Sequence, residues 1–131
     1  MAVNTFTGAT NNNWGTATNW SQGTVPTASD GHTTTFDNTS PNCTVDTSAR
    51  VCQILTFNGG TGYTNTITMT NNISVSGSIT LGASMVIAGA GTLLVIATAT
   101  LTANGKTWGN PLTLSGTFNF TFADNWTVSN L

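Results

Sequence analysis

Apolar side chains alternate with small polar ones along most of this chain, with a period of two. In "NISVSGSITLGASMVIAGAG", Asn72 to Gly91, the pairs Ile73/Val75, Ile79/Leu81 and Met85/Ile87 each put two apolar residues on one face of a short strand. The same pairing recurs at Leu55/Phe57, Ile67/Met69, Leu93/Val95, Leu112/Leu114, Phe118/Phe120 and Trp126/Val128. Gly, Asn and Ser stand between the pairs, where turns belong. The strands are too short and too closely spaced for an immunoglobulin-like sandwich.

A longer period lies over the short one. Leu55 to Ile73 and Ile67 to Met85 are each 18 residues, Ile73 to Leu93 is 20 and Leu93 to Leu112 is 19. Ile79 to Leu101 is 22 and Leu101 to Phe118 is 17. Three short strands per period of about 19 residues predict a parallel β-helix, in which each coil stacks on the last. The expected fold is all-β: a short right-handed parallel β-helix of about four coils over residues 51–131, behind a cap and docking segment over residues 1–50. That first segment holds Trp14 and Trp20, two of the four tryptophans. A solenoid must cover its first coil or the edge recruits other chains. Trp14 and Trp20 are expected to lie over that end, with Pro26 and Asp30 shaping the turns.

Composition narrows the setting. The 131 residues include 29 Thr and 16 Asn, and only six side chains are charged: Asp30, Asp37, Asp46, Arg50, Lys106 and Asp124. A net charge of −2 gives no broad basic face, so nucleic acid is not an expected partner. The neutral, Thr/Asn-rich surface suits a virion or extracellular protein. The N-terminus "MAVNTFTGATNNNW" has neither a basic region nor an apolar core, so no signal peptide is read there. The uncharged 21-residue stretch Ala83 to Ala103 has the length of a membrane span, but its Thr, Gly and two-residue alternation fit strands instead. No membrane partner is expected.

The chemistry on offer is sparse. Asp30, His32 and Asp37 are the only acid–histidine cluster, and turn hydrogen bonding explains them more simply than a metal or acid–base role. There is no Glu, and Arg50 and Lys106 stand alone in sequence. The chain is therefore expected to have no catalytic residues, no cofactor and no metal. Cys43 and Cys52 could close a small loop as a disulfide, or stand as two buried thiols on neighbouring strands; both readings stay open. Trp108 and Tyr63 are the candidates for stacking on a glycan, whereas Phe118, Phe120 and Phe122 read as an inward face. Thr66/Thr68/Thr70 and Thr98/Thr100/Thr102 form the Thr-x-Thr rows of an ice-binding face, but do not recur at the coil spacing regularly enough to make an array.

Trp14, Trp20, Ser21, Gly23, Val25, Pro26 and Asp30 form a pattern that resembles the start of β-helical passenger regions in bacterial surface proteins and of fibre-like proteins in tailed phages. The stretch "TLTANGKTWGNPLTLSG" is similar to coils of those proteins. The resemblance implies a homotrimer and a structural role: a capsid decoration (cement) or head-fibre protein on the virion surface, contacting the major capsid protein or other virion proteins. The alternative it carries is a tail-fibre or cell-surface adhesin fragment that binds host glycans. In "NWTVSNL" the apolar residues Trp126 and Val128 stand at the open end of the solenoid, where a partner is expected to cover them.

Overall fold

The structure is a computed structural model and describes residues 1–59 and 62–128. Fifteen short strands and a single 3-10 turn, Ala17–Asn19, make up the regular structure among these residues. The strands stack in parallel as a β-solenoid of about four turns, as the alternation predicts. Each turn contributes one strand to each of three walls.

The first turn runs through β2 (His32–Asp37), β3 (Cys43–Val45) and β4 (Arg50–Cys52). The second is β5 (Ile54–Gly59), β6 (Thr66–Met69) and β7 (Ile73–Val75). The third is β8 (Ile79–Thr80), β9 (Val86–Gly89) and β10 (Leu93–Val95). The fourth is β11 (Ala99–Thr102), β12 (Thr107–Trp108) and β13 (Leu112–Leu114), and β14 (Phe120–Phe122) and β15 (Thr127–Val128) lie beyond it. One wall has the order β1-β2-β5-β8-β11-β14, where β1 is Ala2–Thr5. A second is β4-β7-β10-β13, and the third comes in two pieces, β3-β6-β9 and β12-β15. The stretch 83–103 resolves into β9, β10 and β11. Among the described residues no helix is long and apolar enough to cross a membrane.

Register shows which long spacings were true. Ile73 pairs with Leu93 and Leu93 with Leu112, and Ile79 pairs with Leu101, as expected. Leu55 pairs with Ile79 rather than lying above Ile73, Ile67 pairs with Ile87 rather than Met85, and Leu101 pairs with Phe122 rather than Phe118. The three failed spacings joined residues at different places on the coil: Leu55 and Ile73 are on different walls, and Met85 and Phe118 precede the strands that carry the true partners. The inward columns Leu55–Ile79–Leu101, Ile73–Leu93 and Val75–Val95 are fully buried.

The solenoid begins earlier than residue 51. Residues 32–52 already form a complete turn, so the cap proper is residues 2–31. Trp14 and Trp20 lie over the first turn as expected, both buried. Phe36 of β2 is the hub, with ring centroids 5.4 Å from Phe6, 5.4 Å from Trp14, 5.8 Å from Trp20 and 5.0 Å from Phe57. The Trp20 indole N–H donates to the Trp14 carbonyl at 2.7 Å. Buried Asn19 ties the loops beneath. Its Oδ1 accepts from Thr10 and Asn11 N–H, and its Nδ2 donates to Asn11 Oδ1 and the Asn13 carbonyl. Pro26 is buried, and the Asp30 carboxylate accepts N–H bonds from Thr27 and His32 at 2.9 Å each, shaping the turn into β2.

Asparagines stitch one turn to the next at the corners. Asn65 Nδ2 donates to the Ser40 carbonyl, Asn104 Nδ2 to Leu81 and Asn110 Nδ2 to Gly91, while Asn42 and Asn72 side chains accept from Thr66 and Thr92 N–H. Each bond spans about one coil, so each answers a backbone group the corner would otherwise leave unpaired. At the corner after β9 the turns approach so closely that a Cβ on Gly89 or Gly91 would land on the backbone of Met69 or Asn71. Gly89 also has φ +83°, which only glycine adopts without strain.

Two predictions follow from this packing. Phe36→Ala should cost about 3–5 kcal/mol in urea unfolding, since it opens a cavity where cap and coil meet. The corner between β3 and β4 is held by Arg50 Nη2 donating to Asp46 Oδ1 at 2.7 Å, both side chains mostly buried. Burial favours the neutral acid, but the bond to Arg50 and its charge outweigh this and hold the Asp46 carboxyl below its ordinary value. The pair's stabilisation is therefore complete above the unfolded pKa of about 3.9 and is lost as pH falls through the lower folded value. Asp46→Asn should cost about 1–2 kcal/mol at neutral pH, and the gap from the parent should close in strong acid.

Candidate functional site

The two ends of the stack differ. At the first end, β1 covers β2, and its own outer edge is sealed by the loop at residues 20–24. Ser21 Oγ accepts the Thr5 N–H, Ser21 N–H donates to the Thr5 carbonyl, and Gln22 Nε2 donates to the Val3 carbonyl. Asn4 points inward and holds the same loop through Gln22 N–H and the Thr24 carbonyl. The edge of β3 is occupied by Asn12 and Trp14, which exchange backbone bonds with Thr44. This end offers another strand few free partners.

At the other end β13, β14 and β15 are the outermost strands of their walls among the described residues. Their inward positions form a cleft of about 460 Å³, lined by Leu112, Leu114, Phe122, Trp126, Thr127 and Val128. Four of the six lining residues are the last described rung of an inward column. Leu112 follows Ile73 and Leu93, Leu114 follows Val75 and Val95, Phe122 follows Leu101, and Val128 follows Trp108. Leu114 is 37% exposed and Phe122 48%, although their partners one turn earlier are fully buried. Phe122 and Trp126 meet edge to face at 6.2 Å. The Trp126 indole N–H is shielded from solvent and has no acceptor among the described residues. The nearest charge, Asp124, is already used: its two carboxylate oxygens accept the Ala103 and Asn104 N–H at 2.7 Å each, which fixes the corner below. The cleft is thus apolar, neutral and bordered by strand edges that no described strand pairs. Trp126 and Val128 belong to it, as expected.

Other expected site residues lie elsewhere. Neither candidate ring for glycan stacking is available, because Trp108 and Tyr63 are both fully buried. Trp108 sits on an inward column above Val128, and the Tyr63 hydroxyl lies 2.9 Å from the Thr66 carbonyl and 3.0 Å from that of Pro41. Phe118 is not on a strand: it stands in the turn before β14 and is 46% exposed. The strand pair is Phe120/Phe122 because those residues fall in register with Ala99 and Leu101. Asp30 and His32 approach to 3.7 Å, but Asp37 is at the far end of β2, bonded to Thr39, so the three do not converge. Leu112, Leu114, Thr127 and Phe122 were not anticipated as lining residues. Alternation marks Leu112, Leu114 and Phe122 as inward and Thr127, between Trp126 and Val128, as outward, and only the stacking order shows that no described strand covers them.

Cys43 and Cys52 are free, buried thiols on the successive strands β3 and β4, which belong to different walls. The disulfide reading gives way to the other. Burial pushes the Cys52 thiol up to about 12, with the Thr34 hydroxyl pulling the other way, and burial likewise raises Cys43. Both should resist a thiol reagent at pH 8 in the folded protein and react together on unfolding in urea, as counted by mass spectrometry.

No protein-family model, no curated protein and no solved structure matches this chain.

Proposed function

We propose that this chain is a structural protein of a larger particle, and that it attaches end-on through the cleft. The observation that carries this reading is the contrast between the ends: one where β1 and β3 are capped by loops, the other where three strand edges that no described strand pairs surround an apolar, neutral pocket. Such a surface suits a partner that supplies strand edges or apolar side chains, and not a charged one. The capped edges of β1 and β3 count against a heterologous stack of copies, cleft onto cap. Closed assembly with other copies, as a trimer, or seating on a shell protein fits the cleft, and either leaves the cap and the neutral walls facing outward.

The resemblance of the Trp14-to-Asp30 segment to tailed-phage fibre-like proteins and bacterial passenger regions supports reading the particle as a virion and the role as that of a capsid decoration or head-fibre protein. Its action would be mechanical: apolar area buried at the cleft favours the assembled shell by mass action. Glycan adhesion, the alternative, has lost the two aromatic rings on which it rested.

Immunogold labelling of particles from the source culture tests the reading. Gold should spread over icosahedral heads, and particles stripped of the chain should break at lower temperature. Phe122→Asp should prevent re-addition while changing the stability of the isolated chain by less than about 1 kcal/mol, since the ring is half exposed there. Bare heads, equal particle stability, or a longer natural polypeptide that buries Phe122 under its own next turn would overturn it.

A further inference from the structure

The outer face of the six-stranded wall carries a second pattern, independent of the cleft. The inward column of this wall is Asn4, Thr34, Leu55, Ile79 and Leu101, each the register partner of the next. The residue after each of these points outward. Those residues are Thr5, Thr35, Thr56, Thr80 and Thr102, again consecutive register partners. Five successive strands thus place a threonine at one height, but Thr35 is only 6% exposed, so the run that reaches the surface is Thr56, Thr80 and Thr102 on three successive strands, with Thr5 beyond the break. Two residues upstream runs a parallel column. It begins Val3, Thr33, Ile54 and continues, past Ser78, as Thr100 and Thr121. Ser78 Oγ accepts the Thr100 N–H and so belongs to the same file. None of the six charged residues occupies either column.

Backbone geometry fixes the spacing of this array. Neighbouring strands lie about 4.8 Å apart and alternate residues on a strand about 6.6 Å apart. Both repeats are close to the separations between water oxygens on the growing faces of an ice crystal. Threonine is β-branched and stiff at χ1, and a threonine above and below restricts it further, so methyl and hydroxyl groups repeat in fixed orientation. Thr35 shows one such constraint, its hydroxyl donating to the Thr33 carbonyl at 3.3 Å. Ladders of one side-chain type are also among the devices that keep a many-stranded sheet flat. The lack of charge matters because an ammonium or carboxylate orders its own hydration shell and would break a shared water lattice.

We propose that this wall binds ice, through the Thr56–Thr80–Thr102 column and the mixed column beside it. Sequence spacing points to the wrong rows. Thr66 and Thr68 stand on β6, where their partners on β9 are Val86 and Ala88, so the threonine pair Thr44–Thr68 is not continued into a ladder. Thr100 and Thr102 belong to the array, and their partners are found only through the register.

The purified chain should shape growing ice crystals, show a gap between melting and freezing points, and inhibit recrystallisation. Thr80→Tyr, which puts a ring in the middle of the column, should lose most of this activity, while Thr68→Tyr on the β6 wall should keep it. Circular dichroism establishes that each variant is folded, and Thr102→Tyr replaces Thr80→Tyr if the latter is not. Parent protein without effect on ice growth, or equal activity in the Thr80 and Thr68 variants, would overturn the proposal.

Discussion

The whole structure depends on one constraint: in a parallel stack, each inward side chain must be covered by the one above it. A strand of two to six residues buries too little to stand alone, so stability comes from columns and not from strands. Leu55, Ile79 and Leu101 share a column, and removing any one exposes the others. Identity of residue type matters less than position, since Leu, Ile and Val fill the same slot. The corners are subordinate. They must bring the chain back into register, and the asparagine clips and close-approach glycines do that.

The same constraint makes the ends special. Along the inward column of the six-stranded wall, hydrocarbon gives way to Thr34 and then Asn4 as the cap is approached. The change is physical sense: Asn4 must hold the 22–24 loop through two hydrogen bonds, which a leucine could not. The aromatic cluster around Phe36 then replaces the missing turn, offering large ring areas with little side-chain entropy to lose. At the opposite end of the column Phe122, the register partner of Leu101, is 48% exposed among the described residues.

Much of this was legible in the alternation. The pairs Ile73/Val75, Leu93/Val95 and Ile67/Met69 mark true strands, because a solenoid wall is buried on one side and period two records that directly. Trp14 and Trp20 were legible as a cap, being large apolar residues outside the repeat. The first turn was hidden, because its inward residues include Thr34, Cys43 and Cys52, which no search for aliphatic pairs finds. Coil lengths were also obscured. Corners vary in length, so 18-residue spacings such as Leu55 to Ile73 arise by chance between residues of different walls. The burial of Trp108 could not be read from "NGKTWGN", since a residue beside a corner faces in or out according to register alone. The asparagines were read as turn formers; that they reach across a whole coil needed the stack.

Stacking also accounts for the near absence of charge. A charged residue repeated along a column would face its copies at about 4.8 Å, and each like pair would cost about 1 kcal/mol in bulk water and several times that near a protein surface. Alternating signs from turn to turn would require the columns to be matched residue by residue. Neutral hydroxyls avoid both demands. The six exceptions agree: Asp30, Lys106 and Asp124 lie in turns, Asp46 follows β3, and Asp37 and Arg50 are strand-terminal. Arg50 is the informative case. It heads the column that continues as Ile73 and Leu93, a place where a charge could not be stacked, and it is accommodated because Asp46 neutralises it at the first turn. The composition that makes the chain look featureless is therefore a product of its architecture. Threonine is what remains for a wall position that must favour strands, face water and carry no charge, and a ladder of it on one wall is an expected consequence of stacking that a binding function can then exploit.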